Sequence, residues 1–313
     1  MKSKHCSFTS LVSPYDLKRP IDWNAQFSRS APTDVEIGFG MGETLMRMAQ
    51  ESPERNFIGV EQHWKRICKT LRVMTKSQSS APETFKNVRI LRVDARVVFQ
   101  RLFAPRSIDT VYCLFPCPWP KKGHVKHRLF NNGFLRLLNN RLKKSGTIRI
   151  VTDFYPYFQW VLAQAQGAGF CAETATVRPQ YDTKFERKWR DEGQEEFFKL
   201  DLFKKRHIEA PVKKDIVLKS YTLNEFDFDR LQLKDETGKV SVIFKDKVFD
   251  RGQQKVMVHA IVAEEHLTQH FWSAIVKNEK TWRIARAEGQ NFFPTPGIAK
   301  ALELVYEAAK STD

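Results

Sequence analysis

At 313 residues, 42% of them hydrophobic and 28% charged, the chain is long enough for about two domains and a well-buried core. No run approaches the roughly 18 apolar residues of a membrane span, the basic start MKSKHCSFTS lacks a secretory apolar region, and five scattered cysteines (Cys6, Cys68, Cys113, Cys117, Cys171) make no disulfide framework, so a reduced, cytoplasmic protein is expected. A net charge of +16 favours polyanions such as nucleic acid, and it is unevenly placed: residues 1–203 hold 33 Lys and Arg against 20 Asp and Glu, whereas 110–150 hold nine bases and no acid.

After a proline-punctuated lead-in over 1–33, short apolar runs alternate with amphipathic ones. DVEIGF is predicted to be a buried strand, ETLMRMAQES a helix and NFIGVE a second strand. WKRICKTLRVMTKS has the pattern of an amphipathic basic helix, with NVRILRVD and IDTVYCLF as the third and fourth strands. GFLRLLNNRLKK is expected to be a helix closed by Gly146, TIRIVTD a fifth strand, and YPYFQWVLAQAQGAGF a helix ended by Gly167 and Gly169. This alternation predicts parallel strands with right-handed crossovers, a doubly wound Rossmann-like α/β sheet. Its ligand site lies beyond the carboxyl ends of the strands. EEFFKLDLFKK adds a late strand. From about 208, β-branched alternation takes over in DIVLKSY, RLQLKD, KVSVIFKDKVFD, KVMVHAIVAEE, FWSAIVK and TWRIARAEG, before one last helix, GIAKALELVYEAAK. The pattern predicts a main domain over 34–207 and a smaller α+β domain over 208–313, divided near 205–212. Aromatic and basic residues alternate in HFWSAIVKNEKTWRIARAEG, where core packing is preferred to an RNA-facing sheet.

The stretch VEIGFGMGE follows the first strand and opens a helix, so Gly38, Gly40 and Gly42 let backbone approach a ligand. A dinucleotide fingerprint would need glycine at 43, where Glu43 stands. Glu36, at the end of the strand, repels a pyrophosphate but suits the ammonium and sulfonium charges of S-adenosylmethionine. Glu61 closes FIGVE where a carboxylate can hold ribose hydroxyls. Asp94, with the amide of Ala95, closes RILRVDA where an adenine amine can be gripped. Methyl transfer is therefore favoured over hydride transfer.

With EIGFGMGE, FIGVEQHW, VDA, FPCPWPKKGHVKHRL, TDFYPY and TKFER in this order, the chain resembles the TrmB-type tRNA (guanine-N7)-methyltransferases over roughly 34–203. The resemblance does not reach 208–313. It implies a class I methyltransferase domain, S-adenosyl-L-methionine as cofactor, tRNA as partner, no metal, and 7-methylguanine formed at position 46 of the variable loop. Carried over by position, it implies Glu36, Glu61 and Asp94 as cofactor contacts, and Lys121, Asp153, Thr183, Lys184, Phe185 and Glu186 facing the substrate. Asp153 and Glu186 would accept from the N1 and N2 donors of guanine. Lys121, Lys122, His124, Lys126, His127 and Arg128 would track the tRNA backbone, and Trp119 either stacks on a base or wedges the loop. The family pattern has Asp where this chain has Cys117, at the position given the catalytic role and lying beside the cofactor.

Other readings of these residues stay open. Cys117, activated by His124 or Lys121, would suit attack on C6 of cytosine in an RNA cytosine-C5 methyltransferase. A tRNA-binding homologue without turnover is a third possibility, although the shared presence of Glu36, Glu61, Asp94, Asp153 and TKFE favours an enzyme. Zinc on Cys113, Cys117, His124 and His127 fits no common finger spacing. A monomer or a homodimer is expected.

Overall fold

Apolar runs too short for helices pair as strands because each can be covered on both faces. The computed structural model describes residues 6–181 and 183–311, except for the side chains of Lys184 and Phe185, and divides the chain into two compact units, Met1–Lys213 and Lys214–Asp313. In the first, a short helix α1 (Trp23–Phe27) precedes β1 (Thr33–Ile37), α2 (Glu43–Glu51), β2 (Asn56–Val60), α3 (Trp64–Ser80), β3 (Val88–Leu91), α4 (Ala95–Arg101) and β4 (Ile108–Leu114). Then come α5 (Asn132–Arg141), β5 (Leu142–Thr152), α6 (Tyr155–Ala165), β6 (Phe170–Val177), α7 (Lys184–Asp191) and β7 (Phe197–Lys204). The sheet runs β3-β2-β1-β4-β5-β7-β6, with β1 to β5 parallel and β7 antiparallel to both its neighbours. Every residue of β1 and β2 is buried. Strand order reverses between β1 and β4, and the crevice at their carboxyl ends is the topological switch point.

Two glycine expectations part ways here. Gly167 and Gly169 follow α6 with φ of +73° and +81°, left-handed positions that end the helix. Gly146 closes no helix: α5 stops at Arg141, and Leu142 already belongs to β5. The pairing of β4 with β5 slips between Ile108 and Thr110, so that Lys143, Lys144, Ser145 and Gly146 stand opposite Asp109 alone and three extra residues are taken up within the strand. A Cβ at Gly146 would lie 2.8 Å from that of Leu142, so the kinked strand needs glycine for space. Neither α4 nor the mostly exposed edge strand β6 stood out in the sequence pattern.

The second unit is an antiparallel sheet in the order β8-β12-β11-β10-β9, built from β8 (Tyr221–Leu223), β9 (Val240–Asp250), β10 (Lys255–Glu264), β11 (Leu267–Asn278) and β12 (Thr281–Arg286). Helix α8 (Pro296–Lys310) covers one face, burying Ile298, Leu302 and Val305 with Val258, Val262, Phe271, Ile275 and Ile284. Phe271 and Trp282 are core residues, as preferred from the sequence, whereas His270 and Trp272 stack about His259 at the surface. DIVLKSY and RLQLKD are not strands: the first contributes only Tyr221 to β8, and Val217 is 93% exposed. Alternation there has no neighbouring strand to pair with.

Residues 205–211 remain with the first unit because α5 grips their backbone. Asn139 Nδ2 donates to Arg206 O at 3.0 Å and its Oδ1 accepts from Ile208 N at 2.9 Å. Asn140 Nδ2 donates to Ile208 O at 3.0 Å, and Arg141 donates to Ala210 O at 2.9 Å and Pro211 O at 3.3 Å. No helix among the described residues is long and apolar enough to cross a membrane.

Candidate active site

The turn after β1 is shaped by its glycines. Gly38 and Gly40 take φ of +72° and +59°; a Cβ at Gly38 would meet nothing within 4 Å, and one at Gly40 would meet only the Gly38 carbonyl oxygen at 3.9 Å. The turn therefore presents backbone, not side chains, to whatever lies above it. Gly38 N donates to Val60 O at 2.7 Å, and Gly40 N donates to Glu61 Oε2 at 3.1 Å, fastening the turn to the end of β2.

Three acids mark successive strand ends, each in a different state. Glu36 is buried, its Oε2 has no hydrogen-bond partner among the described residues, and burial pushes its carboxyl up to about 8 against a smaller opposing pull from Arg47. Glu61 is also buried but well supplied: Oε1 accepts from Gln62 N and His63 N, both at 2.9 Å, and Oε2 lies 3.3 Å from Arg66 Nη1. Asp94 caps α4 through Arg96 N at 2.8 Å, with Ala95 as the first helical residue, and accepts from Gln62 Nε2 at 2.6 Å. Gln62 and Arg66 were not singled out in the sequence; their only signal was proximity to Glu61.

Beyond β4 the chain enters the proline corner. Phe115 and Trp119 hold positive φ of 54° and 44°, strained for bulky side chains. Cys113 is buried, and burial, with Glu36 adding to it, holds its thiol protonated. Cys117 is exposed, as are Lys121, Lys122, His124, Lys126 and His127 on a 3-10 turn over Lys122–His127. Trp119 packs its indole against His124 and His127, at ring separations of 5.7 and 5.2 Å. Among the described residues no group of three or more His, Cys, Asp and Glu can hold a metal ion.

Arg128 differs from its basic neighbours. It is buried, donates to Pro118 O at 2.9 Å and Trp119 O at 3.4 Å, and lies 5.5 and 5.1 Å over the rings of Tyr157 and Trp160 in α6. The corner is thus clamped to α6 by the one base of its block that does not face solvent. A guanidinium so enclosed supports the loop and offers nothing to a phosphate.

Asp153 follows β5, half-buried, its carboxyl raised by that burial. Thr183 and Glu186 form a capping box at the start of α7. Glu186 is buried, and its oxygens accept from Gln180 N at 3.1 Å, Tyr181 N at 3.2 Å and Thr183 N at 3.0 Å. Its acceptor positions are engaged by backbone, which makes it the organiser of this loop. The side chains of Lys184 and Phe185 lie outside the described residues. The loop docks on α2, where Arg47 donates to Tyr181 O at 2.6 Å and Arg187 pairs with Glu43 at 2.7 Å. The glycine turn and the TKFE segment thereby share one helix.

Fold and site together define a Rossmann-like class I methyltransferase. A family model described as "Putative methyltransferase" matches residues 30–199. A tRNA (guanine-N(7)-)-methyltransferase of Chlorobium phaeobacteroides is 46% identical over 56% of this chain and 84% of its own length; one of Thermotoga maritima is 30% identical over 95% of this chain and 97% of its own. The chain belongs to the TrmB-type tRNA (guanine-N7)-methyltransferase family. Because the Thermotoga alignment spans nearly the whole chain, the likeness extends past 208 into the second unit, further than the motifs reached. Among solved structures, a 16S rRNA (adenine(1408)-N(1))-methyltransferase from Catenulisporales acidiphilia superposes with a TM-score of 0.47 at 16% identity, over 64% of this chain and 98% of that one.

The cofactor of this class is S-adenosyl-L-methionine, and the residues present fit it. An unpartnered, buried carboxyl oxygen at the foot of an open glycine turn is a place for a cationic group. Glu61 and Asp94 stand at the next two strand ends, where ribose and adenine would be held.

Proposed function

We propose that the chain is a cytoplasmic, S-adenosylmethionine-dependent methyltransferase acting on N7 of guanine 46 in the tRNA variable loop, with Cys117 where its family keeps Asp. The observation carrying this reading is the buried Oε2 of Glu36 beneath the glycine turn, without a hydrogen-bond partner among the described residues, in a chain that also holds the proline corner and TKFE loop. The bound donor supplies an electrophilic methyl group. Guanine N7 has a lone pair and no proton, so the protein has to align the base and stabilise charge, without removing a hydrogen. Asp153 is the acid left to accept from the base edge, since Glu186 is engaged by backbone amides. Lys121, Lys122 and Lys126 meet phosphates. Arg128 keeps the strained corner in place.

In this geometry Cys117 is tolerated but inferior: loss of one positioned polar group costs roughly 100-fold to 1,000-fold in rate. Labelled donor and unmodified tRNA, followed by nucleoside analysis, test the proposal. Label in 7-methylguanine, lost when G46 is replaced and increased by Cys117→Asp, is expected. Label in 5-methylcytosine would instead establish the thiol as a nucleophile, and donor binding without any transfer would mark a tRNA-binding homologue.

A further inference from the structure

Helix α3 carries a feature that the proposed reaction leaves unused. Lys65, Lys69, Arg72 and Lys76 follow the spacing i, i+4, i+7, i+11, and all four are exposed. The opposite face buries Ile67, Thr70, Leu71 and Met74, so the stripe points away from the sheet. The helix contains no acid in 17 residues, and among the described residues none of the four cations is paired with a carboxylate. A helix face that only needs hydration gains from interleaved acids, because like charges one turn apart repel. Repulsion sustained along about 16 Å of helix is what an approaching polyanion relieves.

A second observation lies at the start of the same helix. Trp64 and Phe8 are 38% and 52% exposed, yet their rings stack at 6.1 Å with only 8° between planes. The Arg92 guanidinium sits 5.2 Å from the Trp64 centroid. Exposed, near-parallel aromatics beside a guanidinium are the chemistry on which an unpaired nucleobase stacks. The pair also borders the cofactor end of the sheet, since Trp64 follows the Glu61–His63 turn directly. A membrane surface would take the same cations, but the guanidinium held over Trp64 keeps that ring out of hydrocarbon.

We propose that α3, with Phe8, Trp64 and Arg92, is a second RNA-binding surface: the tRNA backbone runs along Lys65, Lys69, Arg72 and Lys76, and an unpaired base extends the aromatic stack. This rests on the tRNA reading above and adds to it a surface separate from the proline corner.

The test uses the full chain and an unmodified tRNA transcript. The quadruple variant Lys65→Gln, Lys69→Gln, Arg72→Gln, Lys76→Gln is expected to bind tRNA about tenfold or more weakly and to lower the slope of log K against log salt by about two to four. Its donor affinity by calorimetry, its melting temperature and its kcat at saturating tRNA stay those of the natural chain. Trp64→Ala costs a further fivefold or so, which Trp64→Phe recovers. Unchanged tRNA affinity and salt slope in the quadruple variant overturn the proposal. So does unchanged tRNA affinity with lost adsorption to phosphatidylcholine–phosphatidylserine vesicles, which would assign the face to a membrane. A natural chain that binds no tRNA at all instead brings down the functional reading beneath it.

Discussion

Glu36 keeps a carboxyl group almost wholly buried, and that has opposite consequences for the folded protein alone and for the protein with its donor. Burial raises its folded pKa to about 8 from a starting value of 4.5, so between these values the native state retains a proton that the unfolded chain gives up. Stability of the donor-free protein must then fall as pH rises through that window, by at most about 1.4 kcal/mol per pH unit from this group. Below the window both states are protonated and the penalty vanishes. Glu36→Gln removes the penalty: urea midpoints of the donor-free variant are expected to match the natural chain near pH 4.5 and to exceed it increasingly toward pH 8. Donor affinity should move the other way. Ionised Glu36 compensates a cation, so calorimetric affinity for S-adenosylmethionine rises toward pH 8 in the natural chain, and rises less for the demethylated product, which lacks the sulfonium. In Glu36→Gln both profiles are expected to be flat over this range. Equal urea midpoints at all pH values would show that the carboxyl is not desolvated.

At the scale of elements, legibility followed burial. The parallel strands were plain in the sequence because a strand covered on both faces must be apolar throughout, as β1 and β2 are. The acids at their ends stood out because charge there interrupts an apolar run. What the pattern concealed was the direction in which polar side chains are spent. Arg128 belongs to a visible basic block, yet its fork closes on two carbonyls and two aromatic rings, a partnership set by α6 and not by its neighbours in sequence. Glu186 is similar. Spaced three residues after Thr183, it completes a capping box, a signal carried by the spacing itself. Glu186→Ala is therefore expected to release three backbone amides at once, costing about 1–3 kcal/mol and lowering the melting temperature with or without RNA. Thr183→Ala, which loses the reciprocal bond, should cost about 1 kcal/mol. If Glu186→Ala reduced tRNA affinity while leaving thermal stability untouched, the carboxylate would have to be reassigned to the base edge.

Across the whole molecule, the boundary between the two units matters more than the composition shift that announced it. β-branched alternation begins near 208, but the backbone from 206 to 211 is bound to α5: Asn139 and Asn140 hold Arg206 and Ile208, and Arg141 holds Ala210 and Pro211. The Arg141 side chain is fully buried, its guanidinium is drawn down to about 10 by burial, and its donors go to Phe99 O at 2.8 Å and to the carbonyls of Ala210 and Pro211. A chain ending at 207 would leave that cation buried beside missing acceptors, a loss of about 3–5 kcal/mol from a domain whose total stability is of order 5–15 kcal/mol. Ending at Lys213 keeps every one of those bonds. The two truncations should therefore behave as different proteins: 1–213 folds, melts cooperatively and binds the donor as tightly as the full chain, whereas 1–207 is expressed insoluble or melts roughly 6–20 °C lower. Comparing tRNA affinity of 1–213 with that of the full chain then isolates the second unit. A weaker complex with donor affinity intact is the result expected of a second unit that contacts tRNA. Equal tRNA affinity would confine recognition to the first unit, and a 1–207 fragment as stable as 1–213 would refute the role given to Arg141.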